Sequence, residues 1–312
     1  MRILSLNCRG LGSAAAVRAL REIQERNNPQ VMFLSETHLN KEGAERLRVQ
    51  TYMDEIIVAE SDGRSGGLVM LWKNEVKLQE INIHTNYIDA LVDGDDDETS
   101  WRLTGIYGEP SWENKYKTWE RLRELHGLIE MRWVVIGDWN EILYSHEKEG
   151  GNPRPMQYMQ AFRNALSDCG LEDLGYIGDT FTWRRKRSRR ASGMRERLDR
   201  ACSNETWAQL FPYACLSNQE GLRSDHRPIL LDTEYYKATA MSRKVRRKRF
   251  EGKWLKEEGV GEVVQAAWDA SLSENGGDVT RAVASVQKAL HAWDGTVLKK
   301  TESQAKGFGE TT

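Results

Sequence analysis

Residues 133–140 read WVVIGDWN, an apolar run that ends in two polar side chains, Asp138 and Asn140. The apolar part predicts a buried β-strand. The same arrangement, a polar side chain at the end of an apolar run, recurs at Asn7 in LSLNCRGLG, Glu36 in VMFLSETHL, Tyr107 in LTGIYGEP, and Asp225 and His226 in SDHRP. Strands that finish at one edge of a sheet bring their last residues together, so we expect these side chains to line one site.

The spacing of the apolar residues predicts many strands and few helices in the body of the chain. Eleven strand-like runs lie between residues 3 and 232, and the helical stretches among them are 14–25, 112–129, 156–168 and 205–211. This proportion favours two packed sheets over one doubly wound sheet. We therefore predict an α/β (α+β) fold for residues 1–235, a four-layer sandwich of two mixed β-sheets packed face to face with helices outside.

A change in composition predicts a boundary near residue 235. The stretch 236–312 holds 14 Lys/Arg against 10 Asp/Glu, whereas the first 235 residues hold 31 against 37. After the boundary come a basic run at 243–249 and two helical stretches, 253–272 and 279–299, with apolar residues at helical spacing. We predict one domain over 1–235, followed over 236–312 by a basic linker and a short α-helical C-terminal tail.

The overall composition indicates a globular protein without a membrane segment. Of the 312 residues, 39% are hydrophobic and 29% charged, and no apolar run approaches the ~18 residues of a membrane span. The start, MRILSLNCRG, alternates apolar and polar residues like a strand and unlike a secretory signal. The four cysteines show no metal-ligand spacing, so we expect reduced thiols in a nuclear protein, with the cytoplasm as the alternative.

Each polar residue also has an ordinary structural explanation when it is considered alone. Asn7 is a common turn former, Glu36 suits a solvated loop or a helix cap, and Tyr107 suits a half-buried packing position. GDWN is typical of a tight turn, and Asp199 between two arginines in RLDR suits a surface ion pair of small worth. Only the order of the residues along the chain favours a shared function.

That order resembles the motif order of the endonuclease/exonuclease/phosphatase superfamily, which includes DNase I and the AP endonucleases. The resemblance extends over about residues 2–235. NCRGLG, LSETHL, GDWNEIL, GDTFTW, RLDRA and SDHRPI together resemble the endonuclease domain of plant LINE-type (non-LTR) retrotransposons. A reverse transcriptase region would follow in a full element. It is absent from this chain, which shows no aromatic-x-Asp-Asp motif, so we expect an isolated fragment or a separately retained nuclease.

The resemblance implies an endonuclease that nicks DNA and leaves a 5′-phosphate and a 3′-hydroxyl. Cleavage of a phosphodiester requires an activated water and stabilisation of charge on the phosphate, which a hard divalent cation provides. Mg²⁺ fits a site of few carboxylates, with Mn²⁺ as the alternative. We expect Glu36 to be the main metal ligand, with support from Asn7 and Asp225.

The resemblance also implies the roles of the other motif residues. Asp138 would polarise the attacking water, and Asn140 would position that water or the phosphate. His226, held cationic by Asp199, would donate to the scissile phosphate, because a carboxylate on one ring nitrogen raises the pKa of an imidazole and orients the other N–H. Tyr107 would hydrogen-bond a phosphate oxygen or assist the leaving group.

A basic segment lies between two strand-like runs and therefore predicts a hairpin tip. Residues 184–197 hold eight Lys/Arg and one Glu. In the retrotransposon nucleases, the corresponding hairpin resembles an element that enters a groove of duplex DNA. We expect DNA contacts from Arg184, Arg185, Lys186, Arg187, Arg189 and Arg190. A solvated basic loop is the alternative, and the run at 243–249 suits a nuclear-import signal, a DNA arm or a solvated linker equally.

Other functions share the same motif core. Phosphatases of the superfamily usually carry Pro-x-Trp-x-Asp-Arg where this chain has RERLDR. An exoribonuclease of the deadenylase type and an inactive remnant that only binds nucleic acid are further alternatives. The intact motif set argues against the remnant, because drift is expected to spoil at least one motif.

Overall fold

The chain separates into two compact units, Met1–Ser242 and Arg243–Thr312. The computed structural model describes residues 1–61, 66–94, 96, 98–185, 193–221, 224–237, 259–274 and 279–293. All strands named below belong to the first unit.

The first sheet contains both ends of the first unit. Its strands are β1 (Arg2–Asn7), β2 (Val31–Ser35), β3 (Glu55–Ala59), β4 (Leu68–Trp72), β14 (Cys215–Asn218) and β15 (Ile229–Asp232). They lie in the order β14-β15-β1-β2-β4-β3. Strands β1 and β2 are parallel, and every other pair is antiparallel.

The second sheet comes from the middle of the chain. Its strands are β5 (Leu78–His84), β6 (Tyr87–Val92), β7 (Trp101–Tyr107), β8 (Trp133–Asp138), β10 (Glu172–Asp173) and β13 (Asp199–Ser203). They lie in the order β10-β13-β8-β7-β6-β5, with β7 and β8 parallel and all other pairs antiparallel. Each sheet therefore has one central parallel pair, flanked by two antiparallel strands on either side.

Helices cover the outer face of each sheet. They are α1 (Ala14–Asn27), α2 (Lys41–Gln50), α3 (Lys115–Leu128) and α4 (Met156–Asp168). The short α5 (Glu205–Leu210) instead packs Trp207 into the core between the sheets. The apolar sides of α1 and α2, including Leu20 and Leu47, pack with Leu4 and Met32 of the first sheet. Helices α3 and α4 pack in the same way on the second sheet. The predicted four-layer sandwich is confirmed.

Alternation along the strands separates the inner from the outer core. Ile3 and Ile136 face the space between the sheets. Their chain neighbours, Leu4 after Ile3 and Val135 before Ile136, face the helices. The two sheets approach closely at Gly105 of β7. A Cβ atom there would lie 2.2 Å from the ring of Phe33 on β2, so this strand position requires glycine.

A third, small sheet was not predicted. It consists of β9 (Lys148–Glu149), β11 (Trp183–Arg185) and β12 (Met194–Glu196), in the order β11-β12-β9. The strand β14 and the helix α2 were also not predicted, because both are short and have weak apolar patterns. The predicted helix 112–129 begins with a separate 3₁₀ turn at Trp112–Asn114, and α3 starts only at Lys115.

A buried group of four ionic side chains connects β13 to its surroundings. Arg197 contacts Glu147 at 2.9 Å and Asp173 at 2.7 Å. Arg200 contacts Glu147 at 2.9 Å and Asp173 at 2.7 Å. We call these four residues the ion cluster. The alternative explanation of RLDR, a surface ion pair between Asp199 and its neighbouring arginines, does not hold, because both arginines are buried and bind Glu147 and Asp173.

The second unit contains two helices that pack against each other, α6 (Val260–Glu274) and α7 (Val279–Trp293). They agree in part with the predicted stretches 253–272 and 279–299, whose ends at 253–258 and 294–299 lie outside the described residues, as does the basic run 243–249. Among the described helices, none combines the length and apolarity needed to cross a membrane.

Candidate active site

The polar side chains at the strand ends gather at one rim of the sandwich. Asn7 and Asp138 are the last residues of β1 and β8, Tyr107 is the last residue of β7, and Glu36 directly follows β2. Tyr107 and Asp138 are register partners in the second sheet. Because the parallel pairs β1–β2 and β7–β8 end at the same rim, two residues from each sheet face one another across it.

Hydrogen bonds join these residues across the two sheets. The side-chain amide of Asn7 donates to Asp138 Oδ2 at 2.9 Å. The hydroxyl of Tyr107 donates to Glu36 Oε1. The partners of the first bond are 131 positions apart in the chain, and those of the second are 71 positions apart. The geometry of the site therefore depends on how the two sheets dock.

His226 lies between two buried carboxylates at the same rim. Its Nδ1 is 2.9 Å from Asp199 Oδ2, and its Nε2 is 3.7 Å from Asp138 Oδ2. Asp199 and Asp138 are register partners on the antiparallel strands β13 and β8. The hydroxyl of Thr182 accepts from the backbone N–H of Asp199 at 2.9 Å, which fixes the start of β13. Asp199 therefore holds one ring nitrogen of the imidazole and orients the ring.

The protonation of this group follows from its burial and its charges. Burial alone lowers the pKa of His226, but the charges of Asp199, Asp138 and Asp225 and the hydrogen bond to Asp199 outweigh it and raise this pKa to about 9. Burial raises the pKa of Asp138, with a contribution from Asp199 and against the opposing charge of His226. Burial and the neighbouring carboxylates also raise the pKa of Tyr107, so its hydroxyl remains a donor.

Asp225 has one occupied and one free carboxylate oxygen. Its Oδ2 accepts from the indole N–H of Trp183 at 2.7 Å and forms an ion pair with Arg9. Its Oδ1 is buried without a hydrogen-bond partner among the described residues. The amide oxygen of Asn7 accepts from the backbone N–H of Arg9 at 3.2 Å. Arg9 is thus a site residue that the sequence reasoning missed, although it lies within NCRG.

Three non-glycine residues at the rim have left-handed backbone conformations. These are Arg9 with φ of 47°, Glu36 with φ of 48° and Asn140 with φ of 52°. Such conformations are costly for residues with a Cβ and cluster at functional sites. At Asn140, the backbone N–H donates to Asp138 Oδ1 at 2.9 Å and the side-chain amide donates to the carbonyl of Gly108 at 2.8 Å. These bonds fix the turn after β8.

A cleft of about 230 Å³ opens over these groups. Besides Glu36, Asn140, Asp225 and His226, its walls include Arg9, Trp112, Lys115, Arg154, Trp183 and Glu196. Lys115 donates to the carbonyl of Asn140 and lies 3.6 Å from Glu141. Sequence reasoning missed Trp112, Lys115 and Arg154 because none of them lies within a motif.

The available ligand atoms suit a hard divalent cation. Glu36, Asn7 and Asp225 provide carboxylate and amide oxygens, and Asp225 keeps a buried carboxylate oxygen that no hydrogen bond from the described residues satisfies. Among the described residues, Asp138, Asp199 and His226 also form a group whose ligand atoms lie within 4.8 Å of one another. The oxygen-rich donor set fits magnesium or manganese better than a thiolate-binding metal.

The basic segment begins beside the site. Trp183 forms a β-bridge with His226, and the backbone N–H of Arg184 donates to the carbonyl of Asp225 at 3.0 Å. Arg184 and Arg185 lie exposed on β11, which pairs antiparallel with β12 as the arms of a hairpin. Lys186, Arg187, Arg189 and Arg190 lie outside the described residues.

Comparison with known proteins gives the class of the protein. The model of the endonuclease/exonuclease/phosphatase family matches residues 4–226, and the chain belongs to this family. The resemblance of the motifs to this superfamily is therefore confirmed. No curated protein sequence matches the chain.

Solved structures share the fold at low sequence identity. The endonuclease domain of TRAS1, a telomere-specific non-LTR retrotransposon, is similar with a TM-score of 0.56 and 14% identity, covering 74% of this chain and 97% of that domain. A 3′-5′ exonuclease (NExo) from Neisseria meningitidis gives 0.59 and 17%, covering 74% and 99%. The AP endonuclease LMAP from Leishmania major gives 0.59 and 16%, covering 74% and 86%.

Proposed function

We propose that the protein is a metal-dependent endonuclease that nicks DNA and leaves a 5′-phosphate and a 3′-hydroxyl. The main support is the position of His226, a cationic imidazole bound on one side by Asp199 and facing Asp138 at the base of an open cleft. The motifs that resemble the endonuclease domain of plant non-LTR retrotransposons, such as NCRGLG and SDHRPI, favour target-site nicking over the other activities of the family.

His226 and Asp138 are suited to the two proton-handling roles. Because Asp199 binds Nδ1, the Nε2–H of protonated His226 is directed away from Asp199 and can donate to a phosphate oxygen. Asp138, whose pKa is raised, can accept a proton from the attacking water, since a base works best with a pKa near the working pH. Asn140 fixes Asp138 through its backbone N–H. Tyr107 would donate to a phosphate oxygen.

Glu36, with Asn7 and Asp225, would hold Mg²⁺, for which Mn²⁺ is the alternative. When bound, such a cation stabilises negative charge on the phosphate oxygens. The protein contributes a ligand set fixed before binding, because Tyr107 orients Glu36 and Trp183 orients Asp225.

The basic hairpin would position duplex DNA over the cleft. Its strand β11 is tied to the backbone of Asp225, so phosphates bound by Arg184 and Arg185 would lie next to the active site. We propose the same role for Lys186, Arg187, Arg189 and Arg190. Phosphate binding by such side chains gives affinity and salt dependence without sequence readout.

The test is incubation of the protein with supercoiled plasmid, with Mg²⁺ or with EDTA. We expect open circles with Mg²⁺ only, and nicks that DNA ligase seals, since ligase requires a 5′-phosphate and a 3′-hydroxyl. Degradation from the ends of linear DNA without plasmid nicking would instead support an exonuclease. Release of inorganic phosphate alone would support a phosphatase.

A second test isolates the hairpin. Changing Arg184 and Arg185 to Ser should reduce the slope of log K against log salt by about 0.9 for each DNA phosphate that the variant no longer neutralises. An unchanged slope would mean that these arginines are only solvated. The double change of Arg18 and Arg46, which are exposed on α1 and α2, to Ser serves as the control for removal of two positive charges elsewhere.

We also propose that residues 1–235 carry the catalytic activity and that 240–312 are dispensable for it. The family match ends at residue 226, and the described site residues all precede residue 227. A chain ending after Tyr236 should nick plasmid as the full chain does. A folded but inactive truncation would place part of the machinery in the second unit.

A further inference from the structure

A second pocket adjoins the cleft and has a different character. Its volume is about 320 Å³, within the range of small-ligand pockets. It is lined by Trp112, Lys148, Asn152, Pro153, Arg154, Pro155 and Tyr158. Trp112 and Arg154 line both this pocket and the cleft, so the two share a wall. We call the second pocket the aromatic pocket.

Trp112 is exposed yet held in place. It is 45% exposed, and it is the one tryptophan among the large exposed apolar residues of the described chain. Its ring centre lies 4.9 Å from that of Tyr158 with the planes at 60°, and the guanidinium of Arg154 lies 4.6 Å from the same ring centre. An aromatic surface that is fixed before binding loses little conformational entropy when a ligand stacks on it.

The wall between pocket and cleft carries an excess of positive charge. Arg154 contacts Glu141 and Glu196 at 2.9 Å each, Lys148 pairs with Glu196, and Lys115 lies 3.6 Å from Glu141. Three cations thus share two carboxylates within this network. The ion pairs hold Arg154 against Trp112, and the remaining charge favours an anionic chain passing from the cleft to the pocket.

We propose that the aromatic pocket binds an unpaired nucleobase next to the phosphate that occupies the cleft. This inference rests on the proposed function and narrows its substrate. Every base presents a flat π face, so stacking on Trp112 or Tyr158 does not depend on sequence, and the side-chain amide of Asn152 can hydrogen-bond a base edge. A paired base inside a duplex has both faces covered by its neighbours. The protein should therefore prefer DNA with an unpaired base beside the cleaved bond.

A proline-rich peptide is the competing occupant, because such peptides dock on aromatic grooves. The wall shared with the cleft and its positive charge favour a nucleotide over a peptide. The peptide is an outcome of the test below.

The test compares two DNA duplexes of one sequence, fully paired or with one bulged 2-aminopurine, in EDTA so that no cleavage occurs. We expect the protein to bind the bulged duplex about 5- to 150-fold more tightly and to quench the 2-aminopurine fluorescence. Trp112→Ala should abolish both the preference and the quenching, and Trp112→Phe should keep most of each. Tyr158→Ala is a second change in the same pocket and should also reduce the preference. It serves as the test if Trp112→Ala does not fold.

Tyr52→Ala is the matched control. Tyr52 is also an exposed aromatic residue with an arginine nearby, since the guanidinium of Arg21 lies 5.2 Å from its ring centre. It should not change the preference for the bulged duplex. If Tyr52→Ala abolished the preference for the bulged duplex as fully as Trp112→Ala, the preference would come from nonspecific binding to exposed aromatic residues. That result would overturn the proposal.

Three further results would overturn the aromatic pocket as a base site. They are equal affinity of the parent for both duplexes, a preference that survives both Trp112→Ala and Tyr158→Ala, and a proline-rich peptide that binds the parent but not Trp112→Ala. Plasmid nicking is measured separately. A parent that binds the bulged duplex through Trp112 but never nicks DNA would refute the proposed function and leave the base site standing.

Discussion

Asp199 and Arg200 are consecutive residues of β13, yet they belong to two charged centres of opposite character. Side chains alternate across a strand, so Asp199 faces His226 at the rim and Arg200 faces the ion cluster on the other side. In the ion cluster, two arginines balance two carboxylates, and hydrogen bonds satisfy every oxygen of Glu147 and Asp173.

The rim has no such balance. Asp138 and Asp199 share one imidazole, and Asp225 keeps a buried oxygen without a partner among the described residues. A balanced group stabilises the fold once it is formed, whereas an excess of buried negative charge destabilises the protein until a cation or a proton arrives. The comparison teaches that burial alone does not identify a functional carboxylate, because Glu147 is nearly as buried as Asp138 and yet is fully paired.

The largest expected effect separates activity from stability at the rim. His226→Gln should lower the rate of plasmid nicking by roughly 10²- to 10⁴-fold, the usual contribution of a general acid or base. Its midpoint of urea unfolding should fall less than that of Arg200→Met, because the Gln amide can still donate to Asp199 and because Asp138, whose pKa burial already raises, can take up a proton in place of the lost cation. Nicking within about tenfold of the parent would remove His226 from the mechanism.

The converse is expected in the ion cluster. Arg200→Met leaves Glu147 and Asp173 short of one buried partner and should destabilise the protein by about 3–5 kcal/mol. Urea unfolding measures this decrease. Activity per folded molecule should fall far less than in His226→Gln. A stable variant without activity would erase the distinction between the two centres.

A divalent cation should stabilise the rim and leave the ion cluster unaffected. A ligand present at about 100 times its dissociation constant adds about 2.7 kcal/mol to the free energy of unfolding, which is roughly 5–10 °C in melting temperature for a unit of this size. Mg²⁺ should raise the melting temperature of the parent and of Arg200→Met alike. Glu36→Gln should reduce the shift, and an equal shift in that variant would exclude Glu36 as a ligand.

The smallest effect is the response of stability to acid in metal-free buffer. Burial raises the pKa values of Glu147 and Asp173, but the two arginines outweigh it and hold both below their ordinary values of 4.5 and 3.8. Stabilisation from these groups is therefore fully present above the ordinary pKa of 4.5 and disappears as the pH falls through the lowered values. Arg200→Met should show a shallower decline of stability in this acid range. Parallel curves for the two proteins would show that Arg200 does not set these pKa values.

Local patterns predicted the central strands well, and the roles of the residues at their ends remain a prediction. The apolar runs that end in Asn7, Glu36, Tyr107 and Asp138 mark buried parallel strands, whose ends must meet at one rim. The partners of Arg197 could not be predicted, because Glu147 and Asp173 lie 50 and 24 positions away in segments without periodicity. Trp112 and Arg154 escaped notice because only the docking of α3 and α4 on the second sheet brings the segments before these helices to the cleft.

The order of strands in the first sheet determines when the first unit can complete its folding during synthesis. β1 lies between β2 and β15, and Arg2 pairs in register with Asp232, so the first strand made must wait for the last. At about 5–20 residues per second, the ribosome takes roughly 10–50 s to make the intervening chain. Asp225 and His226 emerge only at the end of that interval. A nascent chain therefore cannot assemble the cleft until nearly all of the first unit has been made.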